Sequence, residues 1–221
     1  MDFAPLWLTL QLATATSAAL FLLAMPLVYG LHHMRSWWRY PLQTLVNMPL
    51  VLPPTVIGFY LLILSSPEHA PGSWFKAWLG ISLPFTFGGL VVGSVLFSLP
   101  FMVNPILSGL ENQPRSLSDA SYALGASRLQ TFVRIQFPNI KPSLLAGLVL
   151  TFAHTVGEFG VVLMIGGKIP GKTLVASMAV YDEVEALNFG AAHRYALILC
   201  LFSFGSLLTL FLLNRKTRPP I

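Results

Sequence analysis

The chain has 221 residues, of which 55% are hydrophobic and only 10% charged. A water-soluble domain carries about 25% charged residues, so this chain has too little charge to cover a surface facing water. The formal net charge is +5, but its placement follows membrane topology, and no nucleic-acid partner is expected. The single cysteine, Cys200, lies in an apolar run, so no disulfide framework can form within one chain.

Charged residues divide the chain into long uncharged runs, from Asp2 to Arg35, Arg39 to Glu68, Lys76 to Glu111, Lys141 to Glu158 and Arg194 to Arg215. A spanning helix needs roughly 20 mostly apolar residues. Five spans are therefore expected, near 6–30, 42–65, 84–108, 142–165 and 195–214. Backbone groups in hydrocarbon must be satisfied within the segment, which makes helix the expected conformation. The runs are also too long and too evenly apolar for barrel strands. The expected fold is an all-α integral membrane protein, one domain over 1–221, with a cytoplasmic loop at 109–141 and an outer loop at 166–194.

Met1-Asp2 lacks the basic start of a signal peptide, so the first span is expected to be retained. His32 and His33 follow it, close to Trp37, Trp38 and Tyr40, which read as an interfacial aromatic belt. Adjacent histidines do not share a helix face, so no metal site is expected there. Pro26, Pro53, Pro54 and Pro100 fall in or beside the spans, with Gly58, Gly88, Gly89 and Gly93. Packed membrane helices tolerate such residues, and Gly89-x-x-x-Gly93 reads as a close-packing face.

The polar insert between spans three and four reads as helix, glycine turn, helix. Ser116-x-x-Asp119 resembles a capping box, with Leu117, Ala120, Ser121 and Leu124 on one mildly apolar face. Gly125 is placed for a left-handed cap. Ser127-x-x-Gln130 starts the second helix, with Leu129, Phe132, Val133 and Gln136 down one side, and Pro138 is expected to stop it. A DNA-binding helix-turn-helix fits this pattern locally, but two short tethers would pin it to a membrane.

In the fourth span Glu158 is an acid inside a hydrophobic stretch, with His154 one turn earlier. An intramembrane acid is a functional candidate, and a proton relay would make the chain a secondary transporter. Glu158 lies about 16 residues into the span, which at roughly 1.5 Å per residue puts it near the outer boundary. The favoured expectation is a structural or gating role, with Glu158 bonding backbone donors where Gly157 and Gly160 loosen the helix.

The outer loop contains Gly166-Gly-Lys-Ile-Pro-Gly171-Lys172-Thr173, which matches the phosphate-binding pattern G-x4-G-K-[ST]. Val161–Ile165 before it is strand-like, and Leu174–Val180 after it could be a helix. Nucleotide binding is not expected, because no further βα unit or later acidic magnesium ligand is present. Pro170 also removes one donor from a cradle that would be built of donors.

Orientation follows the basic residues. With 109–141 inside, Arg35, Arg39, Arg115, Arg128, Arg134, Lys141, Arg215, Lys216 and Arg218 are cytoplasmic, and Lys76, Lys168, Lys172 and Arg194 are outside. Nine of thirteen basic residues inside predicts the N-terminus out and the C-terminus in.

The spacing Asp119-Ala120-Ser121-x3-Gly125-x9-Ile135-x-Phe137-Pro138 resembles the EAA loop of bacterial ABC importer permeases, with Asp for Glu, Ser for the second Ala and Phe for Leu. Asn47-Met-Pro-Leu-Val-Leu-Pro-Pro54 with Gly58, and Val156-Gly-Glu-Phe-Gly160 with Ile169-Pro-Gly171, resemble molybdate permeases. Sulfate permeases share something close to Gly-Glu-Phe-Gly, and the Pro-Leu-Val-Leu-Pro-Pro stretch favours molybdate. The resemblance implies the type I importer fold and a bacterial or archaeal cytoplasmic membrane. It implies that ATP and magnesium are bound by a partner subunit, with no cofactor, metal or catalytic residue in this chain. Leu117, Asp119, Ala120, Ser121, Leu124, Gly125, Ala126, Ile135 and Pro138 become candidates for docking two ATP-binding cassette subunits. Asn47, Pro53, Pro54, His154, Thr155, Gly157, Glu158 and Gly160 become pore or gate candidates. Five helices enclose little by themselves, so a homodimer with an axial pore is expected, served by a soluble oxyanion-binding protein outside. The expected spans hold no Lys or Arg, which suits release of an anion. The function expected is ATP-driven import of molybdate or tungstate. Sulfate or thiosulfate import and proton-coupled transport through Glu158 are the alternatives.

Overall fold

The computed structural model describes residues 2–34, 36–80 and 82–215, and every regular element among them is helical. In chain order the first five helices are α1 (Ala4–His33), α2 (Arg39–Asn47), α3 (Pro54–Ser65), α4 (Gly72–Leu79) and α5 (Phe87–Glu111). The insert contains α6 (Arg115–Ala123), α7 (Arg128–Thr131) and α8 (Phe137–Asn139), and α9 (Lys141–Val156), α10 (Gly160–Gly166), α11 (Ala176–Glu185) and α12 (Phe189–Arg215) follow.

Three helices, α1, α5 and α12, are each long and apolar enough to cross a membrane. α1 continues through Pro26, and α5 through Pro100 and Pro105. Neighbouring helices make this tolerable in a bilayer: α1, α5 and α9 pack on one another, and α12 packs on α9 and α11.

The runs at 42–65 and 142–165, expected as continuous spans, are both broken. After α2 a 3₁₀ turn, Met48–Leu50, leads to a bend of 109° before α3. Proline disfavours helix in the residue before it, and Pro53 accordingly takes an extended conformation (φ −55°, ψ 134°) before Pro54 opens α3. The second break lies between α9 and α10, a bend of 61° over Gly157-Glu158-Phe159. Glycine is a poor helix former, and Gly157 and Gly160 bracket this bend.

The short halves α3 and α10 lie against each other, and a glycine on each side makes room. A β-carbon on Gly58 would fall 2.7 Å from Met164 Cβ, and one on Gly160 would fall 2.8 Å from Pro54 Cβ. Of the expected Gly89-x-x-x-Gly93 face, Gly93 meets α10 at Val161.

The core forms two clusters. One joins Leu20, Val28, Leu31, Met102, Ile106, Leu110, Phe132 and Leu144 at the end that carries the insert. The other joins Leu8, Leu12, Leu90, Ile165, Val175 and Met178 at the opposite end. There α11 fills much of the outer loop, buries Met178, and donates its Ala176 N–H to Thr9 Oγ1 at 2.8 Å.

Candidate coupling and gating sites

The insert begins at Arg115, with Pro114 as a cap that offers no side-chain bond. The capping box expected at Ser116 and Asp119 does not form, because Ser116 already lies inside the first turn. The second box does form: Ser127 Oγ accepts from Gln130 N–H at 3.3 Å, and Gln130 Oε1 accepts from Ser127 N–H at 2.9 Å. Between them Gly125 has φ +82°. Its N–H donates to Tyr122 O (2.9 Å), and Ala126 N–H donates to Ser121 O (3.1 Å). This pair of bonds is a Schellman closure, which the left-handed residue permits.

Pro138 does not stop the second helix as expected. The chain widens into a π turn over Phe132–Gln136, and Pro138 falls in α8 just beyond it. Proline breaks a helix by its missing donor and by a clash with the carbonyl four residues back, and a wider turn relieves that clash. π turns of this kind are frequent at functional sites.

The expected apolar faces each divide in two. Leu117, Asp119, Ala120, Leu124, Gly125 and Pro138 are exposed, Ala126 and Ile135 are half-buried, and Ser121 turns inward. Ser121 Oγ bonds Thr131 Oγ1 at 2.9 Å and so staples the hairpin. Phe132 and Gln136 are buried, while Leu129 and Val133 face outward. Leu117, Leu124, Leu129 and Val133 thus stand exposed on an otherwise polar segment, and Leu124 is 89% exposed. Surface apolar residues that gather into a patch are a mark of interaction sites, which keeps this segment a candidate.

The gate candidates fall into separate groups. Asn47 ends α2, and its Oδ1 accepts from Asn104 Nδ2 on α5 at 2.7 Å. Pro53 and Pro54 start α3, and Pro54 touches Gly160. His154 stacks on Phe101 with ring centroids 4.0 Å apart and bonds Ser98 Oγ at 2.9 Å. Thr155 bonds the same Ser98 at 3.2 Å. Asn104, Ser98 and Phe101 were not singled out in the sequence, because an isolated polar or aromatic residue on a long apolar helix gives no local signal.

Glu158 sits in the α9–α10 break and is 4% exposed. The expected bonds from backbone donors to its carboxylate do not form: neither oxygen has a partner among the described residues. The buried Ser94 hydroxyl lies beside it, near enough to interact with the carboxyl group but without a bond of ordinary length and angle. What the break does secure is the Glu158 carbonyl, which accepts from Ser177 Oγ at 2.6 Å. His154 points to α5 and makes no direct bond to Glu158.

The phosphate-loop lookalike is held by its own bonds. Val161–Ile165 is helical, not a strand. The Ile169 carbonyl collects the N–H groups of Lys172, Thr173 and Leu174. Thr173 Oγ1 donates to Gly166 O and accepts from Ile169 N–H. Donors that a phosphate would need are thus turned inward. Within the loop, Lys168 turns to α11 and pairs with Asp182 at 2.5 Å and Glu185 at 3.2 Å.

Broken membrane helices pack around a helical core, and an exposed hairpin lies between two of the spans. A model of the family "Binding-protein-dependent transport system inner membrane component" matches residues 21–219, and the chain belongs to that family. It is 43% identical to the molybdenum transport system permease protein ModB of Azotobacter vinelandii, over 95% of this chain and 93% of that one. ModB of Haemophilus influenzae is 34% identical, covering 89% and 85%. The sulfate transport system permease protein CysT of Escherichia coli is 33% identical, covering 85% and 68%. Among solved structures, a bacterial ABC transporter that imports alginate superposes with a TM-score of 0.79 at 18% identity, covering 98% of this chain and 80% of that one. The MetNI methionine transporter superposes with a TM-score of 0.75 at 16% identity, covering 97% and 95%. These two share the fold.

Proposed function

We propose that this chain is the membrane-spanning subunit of an ATP-driven importer of molybdate or tungstate, working as a homodimer. The observation that carries the proposal is the exposed hairpin with intact EAA-type spacing in a chain 43% identical to a molybdenum permease. Two cassette ATPases dock on Leu117–Ala126 from the cytoplasm, and a soluble oxyanion-binding protein docks outside, with the N-terminus out and the C-terminus in. ATP binding closes the cassettes, their motion reaches the hairpins, and the dimer opens outward. Hydrolysis resets it, and the chain itself catalyses nothing.

The break between α2 and α3 supports the dimer. Non-helical backbone at membrane depth is tolerated only against protein or a water-filled path. Yet Met48, Leu50 and Val51 at this break are exposed in the single chain, Val51 to 86%. A second copy packed there covers these groups and leaves a path along the axis. Asn47, Pro53, Pro54, Gly157 and Gly160 then shape the gate. No cation need sit on the path, because capture belongs to the binding protein and conduction needs weak sites.

The test is uptake into proteoliposomes that contain this chain, its cassette ATPase and the binding protein. The expected result is molybdate uptake that requires ATP and survives excess sulfate. Uptake that sulfate abolishes transfers the assignment to sulfate. Uptake that follows a proton gradient without ATP overturns the proposal.

A further inference from the structure

The buried Gln136 is the meeting point of three elements that no other side-chain bond among the described residues ties together. Its Nε2 donates to Ser118 Oγ on α6 at 3.0 Å and lies 3.4 Å from His32 Nε2, in the last turn of α1. Its backbone carbonyl accepts from Gln113 Nε2, at the end of α5, at 2.7 Å. Gln136 is 4% exposed and closes the π turn. Beside it a polar cavity of about 1120 Å³ opens between the ends of α1, α2 and α5 and the hairpin, with Arg39 and Glu111 paired in its wall.

The wall is incompletely satisfied. Gln136 Oε1, Gln113 Oε1 and Arg39 Nε are buried and lack partners among the described residues. Native proteins leave few such groups, and each needs a reason. These atoms are shielded even from water, so a solute in the cavity does not reach them without rearrangement. A joint that repacks between two arrangements supplies the reason: groups orphaned in one state find partners in the other. The open cavity gives the ends of the helices room to move.

We infer that Gln136 is the positioning residue through which movement of α6 is passed to α1. This rests on the reading of 117–126 as the ATPase-docking segment. The role is transmission and not docking, because Gln136 lies beneath the hairpin and the apolar rim of Leu117, Leu124, Leu129 and Val133 lies on its outside. Packing in the same cluster holds Phe132 to the α1 and α5 core, and Ser121 ties α6 to Thr131 beside it, but among the described residues the Gln136 amide alone reaches both α6 and α1.

The test uses the full importer in proteoliposomes and reads three quantities: ATPase co-purification, ATP hydrolysis and molybdate uptake. Gln136→Leu keeps the volume and deletes the amide bonds. The expected outcome is unchanged co-purification, hydrolysis within about twofold of wild type, and uptake per ATP lowered roughly tenfold, the size of a typical coupling between sites. Ser118→Ala removes one arm without disturbing the core and is expected to lower the same ratio by less. The double variant is expected to match Gln136→Leu alone, since both delete one connection. Hydrolysis and uptake falling together in both variants, or neither changing, overturns the inference. Failure of the wild-type chain to bind the ATPase instead sinks the docking assignment, which is a separate result.

Discussion

Replacing Gly125 tests the docking assignment most directly. Its φ of +82° costs an L-residue with a β-carbon roughly 1–2 kcal/mol. Nothing lies within 4 Å of where that carbon would sit, so Gly125→Ala carries the backbone penalty alone. Gly125→Pro is more severe. Its φ is locked near about −65°, so the left-handed turn cannot form, and the bond from Gly125 N–H to Tyr122 O is lost as well. If the ATPase binds only the closed hairpin, the penalty passes into affinity. One or two kcal/mol is a factor of about 5–30, which is the weakening expected for Gly125→Ala, and Gly125→Pro should abolish measurable binding. The assay is titration of purified ATPase onto detergent-solubilised permease, with membrane insertion of each variant checked separately. Equal affinity in wild type and Gly125→Pro would refute the idea that this turn presents the docking surface.

Three further outcomes are expected. Gly160→Val and Gly58→Val each force a β-carbon into an occupied site, at 2.8 Å from Pro54 Cβ and 2.7 Å from Met164 Cβ. Overpacking of this kind costs about 1–3 kcal/mol, to be read as a fall in melting temperature in detergent. Glu158→Gln keeps the shape and removes an acid whose oxygens have no partner, so ATP-driven uptake should persist with stability equal or higher, and loss of uptake would restore the proton-relay alternative. At the outer cluster, the Tyr181 hydroxyl and then Lys168 hold the Glu185 carboxyl below its ordinary value of 4.5. A depressed carboxylate stabilises above its unfolded pKa and loses that effect as pH falls through its folded value. The melting temperature of wild type should therefore exceed that of Glu185→Gln at neutral pH, and the gap should close below pH 4.5; a gap that persists in acid contradicts the pairing.

The hairpin was legible because its signals are local. A glycine two residues past the end of a helix with small residues, and a serine three residues before a glutamine, specify a turn and a cap without reference to the rest of the chain. The split of its faces was not legible. Leu117 and Ser121 share a helical side on paper, but Ser121 finds Thr131 ten residues on, and that partner exists only once the hairpin closes. The long spans were legible for a different reason: charge-free length alone distinguishes them.

The breaks show where that criterion stops. Hydropathy counts Pro53-Pro54 and Gly157-Glu158-Phe159 within apolar runs, and Pro26 and Pro100 look much the same to it. Yet α1 and α5 pass through their prolines unbroken, while the runs at 42–65 and 142–165 bend by 109° and 61°. The difference lies in the tertiary partners. α1 and α5 are packed against each other and against α9 along much of their length, so neighbours hold them helical. α3 and α10 instead fit one another, through Gly58 beneath Met164 and Gly160 against Pro54, and each is placed by the other's bend. A mutual requirement between segments about 100 residues apart leaves no trace in either segment alone. It does leave two glycines whose absent side chains have no other explanation, and these set the close contact between the two broken spans.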